Sequence, residues 1–393
     1  MPFARFHEAL ALIAREGRTR TLETNRIAQG VEIEIEGQRL LNFCSNDYLG
    51  LAGDPLLAAA LAEGARRHGV GAGAASLLSG YSAAHHALAE KLAAVTGRSR
   101  ALLFSSGYLA NIGLLTGLVE RDDRVYSDTL NHASLIDGVR LARAHNLRYP
   151  HTDAAALDRQ LDSPHAGATW IVTDGLFSMD GDLAPLPQLA ASARRHGAIL
   201  VCDDAHGFGV LGAGRGTLAH FRLDETAVPL LVVTFGKALG TAGAAILGPD
   251  VLIETLLQRA RTFIYDTASP PALAYATTVA LDLALGDDAR RARLTRNVTH
   301  FRQRAGAYGI PLAPGTSPIQ PLMVGEGADA LDLSARLRAA GFYVRAIRPP
   351  TVPAGTARLR ICLSAGHEIS HIDRLADALE AHRGRFRSFT PDA

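Results

Sequence analysis

Short apolar runs in this chain alternate with longer segments that have the amphipathic pattern of helices. Residues 169–173, 198–202 and 230–233 are three such runs, and a polar residue or a glycine follows soon after each. Their length suits buried strands. Strands that alternate with helices are typical of a mostly parallel sheet covered by helices. The pattern therefore predicts an α/β fold.

The same pattern divides the chain into three parts. With 393 residues, the chain is long enough for a large sheet-centred domain and a smaller one. We expect an N-terminal helix and β segment over residues 1–45 and a large α/β domain over 46–285. A small C-terminal α+β domain is expected over 286–393.

Composition excludes several classes of function. The net charge of +1 favours neither nucleic acid nor an anionic membrane as a partner. Three cysteines without paired spacing are typical of a reduced cytoplasm, and no metal-ligand cluster is apparent. No apolar run approaches the length of a membrane span, and charged residues interrupt the N-terminal segment where an export signal needs an apolar core. We therefore expect a cytoplasmic protein without a metal.

Lys237 is the first candidate for chemistry. It follows the apolar run 230–233 in a loop that also contains Gly236 and Gly240. A strand that delivers an amine to such a loop suits a lysine that forms an imine with an aldehyde cofactor. A single lysine is more often a solvated surface charge. The prediction therefore depends on the residues that accompany it.

Asp203 and His206 are those companions. Asp203 ends a second apolar run, and His206 follows three residues later. A buried carboxylate favours the protonated form of a pyridine nitrogen through opposite-charge stabilisation. Asp203 therefore suits the ring nitrogen of pyridoxal phosphate, and His206 suits its phenolic oxygen. Together with Lys237, these residues predict a pyridoxal-phosphate site.

A third apolar run adds two polar candidates. Asp174 and Ser178 follow residues 169–173, and ligands of open α/β sheets collect beyond the carboxyl ends of the strands. His132 lies in the segment 128–135 and carries an imidazole that suits stacking on a flat ring. A single histidine is more often a satisfied polar residue than a stacking partner.

A phosphate site is predicted where a short strand passes into a helix. A turn of small residues, Ser105 to Gly107, precedes the helical pattern that begins near Tyr108. The backbone N–H groups of Gly107 and Tyr108 suit a phosphate at the helix N-terminus, and Thr234 suits the same group. By itself this turn is more typical of an ordinary strand-to-helix connection.

Two nucleotide-binding motifs are excluded by their context. Residues 69–74 match a loose Gly-x-Gly-x-x-Ala pattern of nicotinamide dehydrogenases, but a helical segment precedes them where the motif requires a strand. A P-loop is also excluded, because Gly236-Lys237 lacks both the earlier glycine and the following Ser or Thr.

Six runs, in matching order, resemble the α-oxoamine synthases, which are pyridoxal-phosphate enzymes of the aspartate aminotransferase fold, or fold type I. The resemblance extends from about Arg20 to the C-terminal region, and it implies a mostly parallel central sheet with a smaller C-terminal α+β domain. The runs are 42–51, 131–135, 177–182, 203–206, 234–240 and 350–360.

The resemblance implies a role for each matching residue. The catalytic residues would be Lys237, His132, Asp203 and His206. Cofactor binding would also use Gly107, Tyr108, Ser178 and Thr234, and substrate binding would use Arg20, Asn46, His132, Thr351 and Arg360.

Arg360 matches the family arginine that pairs with the amino-acid carboxylate, a task that suits a bidentate guanidinium. Strand alternation places Arg358 on the same face as Arg360, opposite Leu359 and Ile361. Which of the two arginines faces the site, and whether the other is solvated, stays open.

Within the family, runs 232–237, 263–272 and 349–360 are most similar to the member that condenses L-alanine with a pimeloyl thioester. The implied reaction is a decarboxylative condensation in biotin biosynthesis, with pimeloyl-CoA or pimeloyl-acyl carrier protein as acyl donor. The implied assembly is a homodimer.

Two alternatives to this reaction remain. One is glycine C-acetyltransferase (2-amino-3-ketobutyrate CoA ligase) or another α-oxoamine synthase. The other, from a different class, is a catalytically inactive binding protein of the same fold. The presence of Asp203, His206 and Lys237 argues against the second, because a binding module has no need of these residues.

Overall fold

The computed structural model describes residues 3–389 of the chain. These residues divide into two compact units. The large unit contains residues 46–178 and 182–294. The C-terminal unit contains residues 3–45, 179–181 and 295–389, so that the N-terminal segment groups with the C-terminal part of the chain.

The strands and helices of the described residues follow one another along the whole chain. The strands are β1 (Glu32–Ile35), β2 (Gln38–Asn42), β3 (Arg100–Phe104), β4 (Arg124–Asp128), β5 (His145–Tyr149), β6 (Thr169–Asp174), β7 (Ile199–Asp203), β8 (Leu230–Thr234), β9 (Ala244–Gly248), β10 (Ile319–Gly325), β11 (Phe342–Tyr343), β12 (Ala346–Ile347) and β13 (Ala357–Cys362). The α-helices are α1 (Ala4–Arg15), α2 (Pro55–His68), α3 (Ala83–Thr96), α4 (Gly107–Leu118), α5 (Ala133–Ala142), α6 (Ala154–Leu161), α7 (Leu186–His196), α8 (Thr217–His220), α9 (Asp250–Arg259), α10 (Arg261–Ile264), α11 (Pro271–Gly286), α12 (Asp288–Ala307), α13 (Gly327–Ala339) and α14 (Ile369–Glu380).

A seven-stranded sheet forms the centre of the large unit, in the order β3-β9-β8-β7-β6-β4-β5. Neighbouring strands from β8 to β5 are parallel, and β9 pairs antiparallel with both β3 and β8. The predicted mostly parallel sheet is confirmed. Parallel strands place their carboxyl ends at one edge, which is where ligands of such sheets bind.

Apolar side chains explain why these segments form a sheet. All of Val172, Val201 and Val232 are fully buried, and they belong to one core together with α4, α5 and α9 residues such as Leu114. Burial of each such side chain stabilises the fold by roughly 1.5–3 kcal/mol. The packed core thus sets where each strand ends and where the polar residues that follow it lie.

The C-terminal unit contains two three-stranded sheets, ordered β10-β13-β12 and β1-β2-β11. β13 is the middle strand of the first sheet, and all six of its residues are buried. Arg358 is 1% exposed and Arg360 is 8% exposed. Neither arginine is therefore solvated. In the part of the chain that the structure describes, no helix has the length and apolar character needed to cross a bilayer.

Candidate active site

The carboxyl ends of β6, β7 and β8 bring three of the sequence-predicted segments together. Asp174 and Asp203, the last residues of β6 and β7, are directly paired in the parallel ladder. Asp203 in turn lies beside Val232, two residues before Thr234 at the end of β8. Residues that are far apart in sequence thus share one edge of the sheet.

Asp203 is held by two donors. It is 4% exposed, and its Oδ1 accepts the backbone N–H of Ala205 at 3.0 Å. Its Oδ2 accepts a hydrogen bond from the side-chain nitrogen of Asn111 at 2.6 Å. These two bonds come from different directions and fix the orientation of the carboxylate.

His132 precedes the first residue of α5 and faces the same edge. Its backbone N–H donates to Asp174 Oδ2 at 2.7 Å, and its Nδ1 lies 2.7 Å from Ser134 Oγ. Desolvation by the surrounding protein lowers the pKa of His132, while the nearby charge of Asp203 opposes that shift. The imidazole is therefore neutral at pH 7. The residue nevertheless keeps an exposed side, which is what stacking against a planar ligand requires.

Lys237 lies in a tight loop directly after β8. The loop closes through hydrogen bonds from Phe235 N–H to the Gly243 carbonyl and from Gly240 N–H to the Lys237 carbonyl, each 2.9 Å long. Gly240 has a φ of +65°, and a Cβ at this position would lie 2.4 Å from the backbone nitrogen of Ala52. Only glycine fits there, so the loop that aims Lys237 depends on it.

The charges at this edge influence one another. Burial raises the pKa of Asp174 well above its ordinary value, and the neighbouring Asp203 raises it further. The charge of Lys237 has the opposite effect on Asp174 and lowers the pKa of both Asp174 and His132, although burial remains the larger influence on each. The Lys237 amine is therefore within electrostatic reach of the predicted ring-binding residues.

His206 belongs to a group of hydrogen-bonded side chains in the large unit. Its Nδ1 lies 2.7 Å from the hydroxyl oxygen of Tyr48, and this hydroxyl is 3.3 Å from Asn46 Oδ1. His206 is 5% exposed and Tyr48 is fully buried. The structure thus connects two sequence-predicted residues, Asn46 and His206, through a tyrosine to which no role was assigned.

The N-terminus of α4 lies very close to the end of β8. A Cβ at Gly107 would be 2.5 Å from the Thr234 methyl group, so this approach needs glycine. Ser106 caps the helix by accepting the N–H of Leu109 at 3.2 Å. The partial positive charge of a helix N-terminus attracts anions. The predicted phosphate-binding residues Gly107 and Thr234 are therefore neighbours.

Tyr108 and Ser178 follow β3 and β6, respectively. The Tyr108 ring is edge-on to the His132 ring, with 6.4 Å between their centroids. The Tyr108 hydroxyl donates to Asp137, and this hydrogen bond raises the pKa of the tyrosine. Ser178 is half-buried and directly follows Phe177.

A doubly paired histidine supports the loop that contains Ser178. His151 Nδ1 is 2.8 Å from Asp128 Oδ1, and its Nε2 is 2.9 Å from Asp182 Oδ2. Burial opposes protonation, but the hydrogen bonds to both carboxylates outweigh it and raise the pKa of His151 to about 10. The His151 ring also packs edge-on against the Phe177 ring, with 4.4 Å between their centroids. This imidazolium connects the end of β4 with the Ser178 loop.

The remaining predicted residues lie in the C-terminal unit. Arg358 forms a buried ion pair with Asp180, whereas the Arg360 guanidinium donates to Cys362 Sγ at 3.0 Å. Thr351 and Arg20 are both exposed. Both arginines therefore have partners within the C-terminal unit.

The family model for aminotransferase class I and II matches residues 38–379. The chain belongs to this aminotransferase family. Two curated relatives are 8-amino-7-oxononanoate synthases. The one from Methylococcus capsulatus is 56% identical over 352 residues, which cover 89% of this chain and 91% of the relative. The one from Nitrosococcus oceani is 54% identical over 352 residues, which cover 89% of this chain and 93% of the relative.

Solved structures of the aminotransferase fold agree with this assignment. Serine palmitoyltransferase from S. paucimobilis, solved with a bound PLP-myriocin aldimine, has a TM-score of 0.90 and 28% identity, and the match covers 97% of each chain. The 8-amino-7-oxononanoate synthase from Francisella tularensis has a TM-score of 0.77 and 29% identity, with 87% of this chain and 97% of that chain covered. The predicted fold type I architecture is confirmed.

The residues at the sheet edge fit the aldehyde cofactor that the sequence predicts. A fixed carboxylate at Asp203 suits a protonated ring nitrogen, and the neutral, open-sided His132 suits a planar ring. The close approach of Gly107 to Thr234 leaves the N-terminus of α4 without a side chain at its first residue, which suits a phosphate.

Sequence reasoning missed the residues whose hydrogen bonds orient the predicted site residues and the Ser178 loop. Asn111 contacts Asp203, Ser134 contacts His132, Tyr48 contacts His206, and His151 contacts Asp182. One signal was available for Asn111, because it is a polar residue in the middle of the apolar helix α4. A buried amide needs a partner. Nothing in the local sequence identifies that partner.

Proposed function

We propose that this protein catalyses the 8-amino-7-oxononanoate synthase reaction, the decarboxylative condensation of L-alanine with a pimeloyl thioester. The products are 8-amino-7-oxononanoate, carbon dioxide and a free thiol, and the reaction belongs to biotin biosynthesis. The observation that carries the proposal is the identity of 56% over 89% of the chain to a curated enzyme of this activity. The convergence of Asp203, His132 and Lys237 at one sheet edge supports it.

The cofactor of the reaction is pyridoxal phosphate, which when bound supplies an electron sink for the α-carbon of the amino acid. The Lys237 amine holds the cofactor aldehyde and afterwards moves a proton at the α-carbon. The Asp203 carboxylate stabilises the positive charge on the ring nitrogen. His132 stacks on the ring, and its neutral state avoids repulsion with that charge.

The surrounding residues bind and orient the cofactor. The N–H groups of Gly107 and Tyr108 and the hydroxyl of Thr234 bind the phosphate. Ser178 and His206 donate hydrogen bonds to the phenolic oxygen. The chain from His206 through Tyr48 to Asn46 keeps the imidazole from rotating.

Arg360 binds the carboxylate of L-alanine through its planar guanidinium. Asn46, Thr351 and Arg20 complete the proposed substrate-binding set. The acyl donor is pimeloyl-CoA or pimeloyl-acyl carrier protein. We further propose that the protein acts as a homodimer in the cytoplasm.

A panel of amino acids and thioesters tests the substrates. Thiol release is measured with L-alanine, glycine and L-serine, each paired with pimeloyl-, acetyl-, succinyl- and palmitoyl-CoA. We expect L-alanine with pimeloyl-CoA to give the highest kcat/KM. A preference for glycine with acetyl-CoA would instead identify the protein as a glycine C-acetyltransferase.

Lys237 permits a sharp test of the cofactor linkage, because the chain contains only one other lysine, Lys91. Lys91 forms an ion pair with Asp282 on the surface of the large unit. Borohydride reduction of the protein with bound pyridoxal phosphate should fix the cofactor on Lys237. Lys237→Ala should abolish this labelling, and the matched control Lys91→Ala should retain it. Labelling of Lys91, or a colourless protein, would refute the assignment.

A further inference from the structure

We propose that Asn111 and Ser134 are positioning residues that connect Asp203 to His132 through one continuous hydrogen-bond chain. The Asn111 side-chain nitrogen lies 2.6 Å from Asp203 Oδ2 and 2.8 Å from Ser134 Oγ. Ser134 Oγ lies 2.7 Å from His132 Nδ1. This inference rests on the roles proposed above for Asp203 and His132.

The donor and acceptor groups of Asn111 and Asp203 determine the direction of the first two hydrogen bonds. An amide nitrogen carries two hydrogens and a carboxylate only accepts, so Asn111 donates one hydrogen to Asp203 and the other to Ser134. If the amide were turned around, its oxygen would face the Asp203 carboxylate and repel it. The orientation of Asn111 is therefore determined by Asp203.

The direction of the third bond follows from the second. Since Ser134 Oγ accepts a hydrogen from Asn111, its own hydrogen is available for His132 Nδ1. The backbone N–H of Ser134 points to the same nitrogen at 3.3 Å. Two donors at Nδ1 require that nitrogen to accept, which places the ring hydrogen of neutral His132 on Nε2.

Burial favours one arrangement of this hydrogen-bond chain. Asn111 is 1% exposed, Ser134 is fully buried and Asp203 is 4% exposed. Water has little access to these three residues, so a lost hydrogen bond between them would not be replaced. The hydrogen-bond chain joins α4, the start of α5 and β7. It therefore sets the carboxylate and the imidazole, the two groups assigned to the cofactor ring, in a fixed relation to each other.

Removal of the serine hydroxyl tests the chain in the cofactor-free protein. Nitrogen-15 NMR of labelled histidine reports which ring nitrogen carries the hydrogen, and His132→Asn identifies the His132 signal. The wild type should show His132 with its hydrogen on Nε2. Ser134→Ala should shift this signal toward a mixture of the two tautomers, because only the backbone N–H of residue 134 would still donate to Nδ1. Ser134→Cys keeps the size of the side chain but donates weakly, and it should give the same shift. An unchanged His132 signal in both variants would overturn the proposal.

Removal of the asparagine amide tests the connection to Asp203. We expect Asn111→Ala to shift the His132 signal, to weaken the binding of pyridoxal phosphate to the cofactor-free protein by about tenfold, and to move the absorbance maximum of the bound cofactor. The tenfold loss is the size expected for one hydrogen bond to a charged group.

Asn297 provides the matched control. It is also a fully buried asparagine, and its side-chain nitrogen donates to the carbonyls of Ser364 at 2.9 Å and His367 at 2.8 Å. Asn297→Ala should lower the melting temperature as Asn111→Ala does, but leave the His132 signal unchanged. Equal NMR and binding effects in both variants would show a merely structural role and overturn the proposal. The tautomer measurement needs neither substrate nor cofactor, so it can succeed or fail independently of the proposed reaction.

Discussion

At the scale of single residues, the site depends on where charge is placed and what orients it. Asp203 receives hydrogen bonds from Ala205 N–H and from Asn111. His132 is neutral because the protein desolvates it. The same edge of the sheet thus holds a charged side chain at Asp203 and an uncharged one at His132. The consequence is a negative charge on one side of a ring-binding position and an uncharged aromatic surface beside it.

The substitution Asp203→Asn tests the charge without a change of size. The amide side chain of this variant would lose the negative charge and keep one oxygen acceptor, while its NH2 group would replace the oxygen that accepts from Ala205 N–H or from Asn111. We expect the cofactor to remain bound and kcat to fall by about 10²- to 10³-fold, the range seen when one electrostatic stabiliser is removed. Steady-state kinetics with saturating L-alanine and thioester give the result. Turnover near the wild-type value would show that Asp203 does not serve the ring nitrogen.

At the scale of elements, two contacts fix how loops and helices approach the sheet edge. The first is the meeting of α4 with the end of β8 at Gly107. The second is the bridge that His151 makes between Asp128 at the end of β4 and Asp182. In both, the contacts of a single residue determine where the binding groups lie.

Gly107→Ala tests the first contact. The added methyl group would lie 2.5 Å from the Thr234 methyl group, so α4 or the Thr234 side chain must shift. We expect a loss of about 1–3 kcal/mol in the free energy of unfolding, as for other overpacked sites, and weaker binding of pyridoxal phosphate. Gly306→Ala in α12 is the control, because a Cβ there meets nothing within 4 Å. Chemical denaturation and cofactor titration measure both effects, and equal behaviour of the two variants would contradict the prediction.

The second contact predicts a dependence of stability on pH. Folding raises the pKa of His151 from its ordinary value of 6.5 to about 10, so the folded protein keeps a proton that the unfolded chain loses between these values. The stabilisation is complete below pH 6.5 and disappears as the pH rises through about 10. Relative to His151→Gln, the wild type should lose up to about 1.4 kcal/mol of unfolding free energy per pH unit in this window. Groups that titrate alike in both proteins cancel in the comparison.

Denaturant titrations of both proteins between about pH 6.5 and about pH 9.5 provide the measurement. A difference between wild type and His151→Gln that stays constant across this range would show that the imidazole is not held in its charged form.

At the scale of the whole molecule, two exposed apolar residues of the large unit lie in adjacent segments. Leu78 is 82% exposed and Tyr265 is 71% exposed. Their segments are adjacent, because Ala75 and Thr267 form a β-bridge. Exposed apolar residues in neighbouring segments are typical of protein interfaces. These residues agree with the proposed homodimer.

Leu78→Glu tests the proposed homodimer, because it places a charge at Leu78, which is more exposed than Tyr265. Sedimentation velocity should show a dimer for the wild type and a shift to monomer for the variant. Val251→Glu serves as control, since Val251 is 70% exposed but lies at the start of α9, away from the paired segments in sequence. A wild-type protein that is fully active as a monomer would rule out the dimer.

The order of apolar runs and polar residues along the chain was enough to predict the sheet and to mark candidate residues at the strand ends, whereas the family was predicted from the resemblance of six runs to the α-oxoamine synthases. Buried strands require apolar runs, and the chain marks each strand end with a polar residue or a glycine. Asp203, Lys237 and the Gly107 turn were therefore visible as candidates before any contact was known. The division into units was less visible, since residues 3–45 group with the C-terminal part of the chain.

The partners that hold these candidates became known only from the packing of distant elements. Asn111 and Asp203 are 92 positions apart, and Arg358 and Asp180 are 178 positions apart. Alternation alone left the solvation of Arg358 and Arg360 open, and their low exposure in the folded chain shows that both are buried. The physical reason is that a hydrogen bond depends on distance and direction at the scale of tenths of an ångström. Local pattern records which side chains are polar, whereas the packing of elements far apart in the chain selects their partners.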